Sequence, residues 1–204
     1  MISKYALFLA NHFADMDVYG KERINVYKYG FELLISTVFN MMGMLLTSII
    51  MGVISRAVLF CVAFVPLRLA AGGYHAKHHW SCIIGFNAVF LGFAVLHRYI
   101  SIKYALPYSL AAASISAILI WFLAPVEAVN KPLRLEQKKR QKNRSLLIAG
   151  VNMAVTLSFF AVERTNNFLP LLAFYNSGSF AASVSLAVAI AVRKKASPTI
   201  SVSD

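Results

Sequence analysis

Acidic residues are the scarcest chemical class in this 204-residue chain: Asp and Glu total 8 against 20 Lys and Arg, and charged residues of both signs make up only 14%. A soluble domain carries about 25% charged residues. Together with a hydrophobic content of 59%, this shortage excludes an ordinary water-soluble globule and points to a bilayer. Cysteine is nearly absent as well. Cys61 and Cys82 are the whole complement, which is too few for a disulfide framework. No module of interleaved basic and aromatic residues is present, so the net charge of +12 reflects anionic headgroups and the rules of membrane insertion rather than nucleic acid. No cleavable signal peptide is expected either, because Asp15, Asp17, Lys21, Glu22 and Arg23 interrupt the first 28 residues.

What is present is a succession of long apolar runs. Residues 33–55, 57–74, 80–97, 104–126, 145–162 and 168–192 are each candidates to cross a membrane, for which about 20 apolar residues suffice. Each must be helical, because hydrocarbon satisfies no free backbone group. The first 28 residues are different. Ile2, Tyr5, Ala6, Leu9 and Phe13 recur at helical spacing beside Lys4, Asn11 and Asp15. That pattern suits an amphipathic helix lying in the interface, and equally one packed on the bundle. The expected architecture is all-α: a polytopic bundle of about six transmembrane helices preceded by an amphipathic segment. Residues 1–192 would form one integral membrane domain, with 1–28 amphipathic and 33–192 the bundle, and 193–204 a polar tail. With six spans, every Lys and Arg except Arg56, Arg98, Lys103 and Arg164 falls on the side of the termini. The positive-inside rule then puts both termini and the basic loop 127–144 in the cytoplasm. Pro132 prevents a continuous helix from entering that loop.

The chemistry is concentrated in residues 68–82, RLAAGGYHAKHHWSC. A thiol beside an imidazole is the minimum equipment for nucleophilic attack on a carbonyl, and Cys82 is the candidate nucleophile. On a continuous helix His78 and His79 are its neighbours. His75 lies two turns away, about 10.5 Å along the axis, so it reaches the thiol only if the chain folds back. Gly72 and Gly73 permit such a turn. The residues alone leave the base open among the three histidines. A second reading makes His75, His78, His79 and Cys82 metal ligands. Four ligands along one straight helix do not surround an ion, however, and no HExxH glutamate is present, so no metal or other cofactor is expected. A third reading, a transporter or peptide exporter, calls for polar residues repeated near the midplane. Asn40, Thr47, Asn87 and Asn152 are scattered instead.

Arg68, then Gly72-Gly73-Tyr74-His75-Ala76, then Cys82 resembles the signature of the AgrB family (accessory gene regulator protein B). The likeness extends over most of the chain and includes the basic, proline-containing segment APVEAVNKPLR at 124–134. It implies a bacterial membrane cysteine endopeptidase acting on an AgrD-like quorum-sensing propeptide. In that reading His75 is the base and Cys82 the nucleophile, while Arg68, Gly72 and Gly73 support the oxyanion or the substrate. Lys131, Arg134, Lys138, Lys139 and Arg140 would dock an acidic substrate tail. The resemblance also implies a homodimer among membrane lipids. A third catalytic carboxylate is not evident; Glu32 and Glu127 lie near expected cytoplasmic helix ends.

Overall fold

A computed structural model of the chain describes residues 2–14, 20–72, 79–126, 134–162 and 168–196. Within them there are seven helices and no strand: α1 (Ile2–Ala14), α2 (Gly20–Met51), α3 (Ile54–Ala71), α4 (His79–Tyr99), α5 (Ile102–Leu123), α6 (Leu135–Val162) and α7 (Leu169–Ala196). Five of these hold stretches long and apolar enough to cross a membrane: Ile24–Met51, Ile54–Ala71, Trp80–Tyr99, Ile102–Leu123 and Leu169–Val192. The remaining expected span, 145–162, is the uncharged second half of α6. α6 packs on α3, α5 and α7. The protein is an all-α, multi-pass membrane protein.

The pattern of burial supports this assignment. Buried polar side chains include Ser109, Ser116, Asn152, Thr156, Asn176, Ser177 and Ser179, whereas Leu34, Leu45, Ile50, Ile84, Trp121 and Phe122 are exposed. A protein in water inverts that arrangement. Here the apolar exterior faces lipid, and the interior is where polar groups find one another.

The chain divides into two compact units, Met1–Gly52 with Ala76–Leu91, and Val53–His75 with Gly92–Asp204. In the first, α1 packs on α2 through Ile2, Ala6, Ala10 and Ala14, all buried. Small residues at four-residue spacing let two helices approach closely. Tyr5 and Phe8 are exposed, so the face that meets α2 is Ile2 with the alanine stripe, and Phe13 stands at its edge against Phe31 of α2, ring centroids 5.2 Å apart. α2 stops at Met51 because Gly52 turns the chain with φ 66°. Arg56 therefore lies in the first turn of α3 rather than between two spans.

In the second unit α7 is the central element, packing on α3, α5 and α6. Its Asn176–Ser179 stretch is fully buried. Asn152 donates to Ser179 Oγ (2.8 Å), Ser116 to the Ser179 carbonyl (3.0 Å) and Thr156 to Asn176 Oδ1 (3.1 Å). Tyr175 donates to Asn152 Oδ1. Below this seam, Leu67, Ala71, Ile120, Ala149 and Leu186 form an apolar core. Close approach is most demanding at Gly178, where an added Cβ would collide with the Phe60 carbonyl oxygen. A methyl group there must separate α3 from α7. Gly178→Ala should lower the melting temperature in detergent by the equivalent of about 1–3 kcal/mol, the usual range for overpacking. Gly92→Ala, where the Cβ meets nothing within 4 Å, should leave it unchanged.

Candidate functional site

Cys82 lies near the start of α4, in the first unit, as a half-buried free thiol. Two contacts on either side of it fix α4 against α2. Two residues before it, Trp80 meets Phe39 with ring centroids 5.9 Å apart. Beyond it, the Asn87 side chain presses on Gly43 so closely that a Cβ at Gly43 would touch it. Asn87 Nδ2 donates to the Ile83 carbonyl (2.9 Å). The carboxamide oxygens of Asn40 and Asn87 are buried and have no hydrogen-bond partner among the described residues. Gly43 and Asn87 thus set the rotation of the helix that carries the thiol, and no sequence pattern distinguished them from other scattered polar residues.

Arg68 and Gly72 belong to the second unit. Arg68 is half-buried in the last turn of α3, and its carbonyl accepts the Gly72 N–H at 3.2 Å. Gly72 ends the helix with φ 78° and ψ −147°, a backbone region essentially reserved for glycine. It forms an isolated parallel bridge with Val126, whose N–H donates to the Ala71 carbonyl (2.9 Å). A Cβ on Gly72 would strike the Val126 carbonyl oxygen. The glycine end of the chemical segment is therefore tied to the segment after α5, where the basic stretch begins. Sequence gave no sign of this contact.

Gly73, His75, His78, Glu127 and Lys131 lie outside the described residues. So does most of the His75, His78, His79 and Cys82 ligand set. Among the described residues no three His, Cys, Asp or Glu side chains converge as metal ligands.

The basic residues differ from the loop that the sequence suggested. Residues 135–144 are the first turns of α6. They are mostly good helix formers, and Gln137 Oε1 accepts the Arg134 N–H (3.2 Å), the returning half of a capping box. Pro132 precedes this start. Arg134, Lys138, Lys139 and Arg140 are all exposed. Lys138 continues the face of buried Ser145, Ala149, Asn152 and Thr156, whereas Lys139 and Arg140 are on the opposite side of the helix.

A polar cluster that the sequence did not reveal joins α4, α5 and α7. His97 Nε2 lies 2.8 Å and Tyr108 OH 2.7 Å from Ser177 Oγ, and Ser177 donates to the Ala173 carbonyl. With its hydrogen given to that carbonyl, Ser177 accepts from both rings. It is fully buried and bonded in full, the state of a structural hydroxyl.

The sequence model of the Accessory gene regulator B family matches residues 3–192. The chain is 24% identical over 199 residues to a putative AgrB-like protein 2 of Clostridium perfringens, covering 94% of this chain and 88% of that protein. It is 24% identical over 137 residues to FsrB of Enterococcus faecalis, covering 67% of this chain and 56% of FsrB's length. A putative AgrB-like protein of Halalkalibacterium halodurans is 23% identical over 162 residues, covering 78% and 79%. No solved structure matches.

The Gly72–Val126 junction makes a direct prediction. Gly72→Ala should break the bridge, so that the Val126 amide exchanges hydrogen at least tenfold faster than in the wild type, as expected for a loss of about 1.4 kcal/mol or more in local protection. Unchanged protection at Val126 would mean that the glycine is dispensable there.

Proposed function

The chain belongs to the AgrB family, whose role lies in quorum-sensing propeptide processing, and on that premise we propose that it is a cysteine endopeptidase that cleaves an AgrD-like propeptide and closes its ring. The observation that carries the proposal is a free, half-buried thiol at the head of a membrane-spanning helix, preceded by the Arg68 and GGYHA pattern. His75 takes the Cys82 proton. Sulfur attacks the carbonyl carbon of the residue before the acidic tail, and the peptide C–N bond breaks. The tail leaves as an amine, protonated by His75, and the remaining peptide is held as a thioester. An internal cysteine or serine of the peptide then gives its proton to His75 and attacks the thioester, and Cys82 leaves as thiolate, which recovers that proton from His75. The net change exchanges a peptide bond for a ring thioester or ester with no water consumed.

Two physical demands follow. A peptide bond is more stable than a thioester, so the first step runs uphill and is drawn forward by loss of the tail. Ring closure must also outrun hydrolysis. A held internal nucleophile can act at effective molarities of about 10⁵ M or more, and a partly dry site suppresses water. The tetrahedral oxyanion needs donors. Amides of the first turn of α4, before Cys82, have no partner inside the helix, and Arg68, Gly72 and Gly73 are the other candidates.

The site faces the cytoplasm, as do both termini, in keeping with the bias of Lys and Arg. An acidic tail is drawn by Lys131, Arg134 and Lys138. Lys139 and Arg140 add to the field from the outer side of α6. The attraction is screened over about 8–10 Å by salt.

Co-expression with the propeptide, read by mass analysis, tests the roles. Cys82→Ala and His75→Ala should abolish tail removal, since a lost general base alone costs about 10²–10⁴-fold. His78→Ala and His79→Ala should process normally. Gln at 131, 134 and 138 together should slow cleavage at low salt and make it insensitive to added salt. Full activity of His75→Ala would remove His75 from the mechanism, and cleavage by Cys82→Ala would remove the thioester.

A further inference from the structure

On the outer face of α6, Lys139 and Arg140 lend only their long-range field to the proposed tail capture. Glu136, Lys139, Arg140, Asn143, Arg144 and Leu147 line a shallow open depression of about 440 Å³, on the side of the helix turned away from buried Ser145, Ala149, Asn152 and Thr156. The same exposed face continues through Leu147, Gly150, Val151, Ala154 and Leu157. Its character changes abruptly along the axis, from three cations and one carboxylate to purely apolar or small residues. A Cβ added at Gly150 meets nothing within 4 Å, so Gly150 and Ala154 form a furrow flanked by Val151 and Leu157.

We propose that this face is a binding site for one anionic phospholipid, its phosphate held by Arg140 and Arg144 and an acyl chain laid in the furrow over Gly150 and Ala154. Guanidinium groups recognise phosphate oxygens in pairs. Lys139 adds charge, and the single carboxylate of Glu136 leaves a surplus of cations. The apolar stretch from Arg144 to Leu157 runs about 20 Å at 1.5 Å per residue, enough to cover the ~15 Å depth of one leaflet's hydrocarbon. The continuity of cation and furrow on one face selects a lipid over an acidic peptide. A peptide needs the charges only, and nothing in an acidic tail fills an apolar furrow on the side away from the bundle. The site does not rest on the peptidase reading, although Lys139 and Arg140 also contribute charge to tail capture there.

Native mass spectrometry of the full chain, released from nanodiscs of mixed phosphatidylglycerol and phosphatidylcholine, tests the proposal. The wild type should retain phosphatidylglycerol over phosphatidylcholine. Arg140→Gln with Arg144→Gln should lower that retention by roughly tenfold or more, and Gly150→Leu should lower it by filling the furrow while leaving both arginines in place. Lys142→Gln, on another side of the same turn, should retain the lipid as the wild type does. These are exposed positions, and unchanged circular dichroism verifies the fold. Equal retention of the two lipids, or unaltered phosphatidylglycerol in the double variant, overturns the site. Displacement of the lipid by an oligoglutamate peptide, with Gly150→Leu behaving as wild type, assigns the depression to a peptide instead.

Discussion

Hydrocarbon offers no hydrogen bonds, and that constraint organises this molecule. Backbone groups must be satisfied within helices, and side chains that carry polar atoms must meet each other inside the bundle. The seam along α7 is the clearest result. Asn152, Ser116, Thr156 and Tyr175 converge on Asn176 and Ser179, and His97 and Tyr108 converge on Ser177. Individually such bonds are worth little, averaging about 0.6 kcal/mol in a bilayer. Their value is in register, because each helix has one rotation at which its polar atoms are all met. Gly178 allows the close approach that brings them together.

The proposed chemistry makes a similar demand within the first unit. A thiol at the head of α4 needs its helix held in rotation, which Phe39–Trp80 and Gly43–Asn87 provide on either side of it. The glycine end of the chemical segment is anchored differently, through Gly72 to Val126. That bridge brings the start of the 124–134 segment, part of the family likeness, to the glycine end of the 68–82 motif.

Much of this was legible in the sequence. Long uncharged runs mark the spanning helices, and the Arg68, GGYHA and Cys82 spacing marks the family. Helix ends were less legible. Gly52 ends α2 ahead of Arg56, although charge is the more visible punctuation. Residues 135–144 read as a loop because a charge run suggests solvent, yet their helix propensity and the Gln137 cap make them the start of α6. In α1 the helical period picked out Ile2, Tyr5, Ala6, Leu9 and Phe13, of which Ile2 and Ala6 are buried, whereas close approach adds Ala10 and Ala14 to the packing face. The seam on α7 was not legible at all: Ser116 and Ser179, or His97 and Ser177, are far apart in the chain, and nothing local marks them as partners.

The central claim is that an acyl group passes through the Cys82 sulfur. It is tested most directly by intact mass analysis of the liposome-reconstituted chain, quenched in acid after mixing with a propeptide whose internal nucleophile is replaced by alanine. The account predicts a mass gain equal to the propeptide without its tail, mapped to Cys82 and released by neutral hydroxylamine. Tail release with the mass of the chain unchanged at every time point would contradict it.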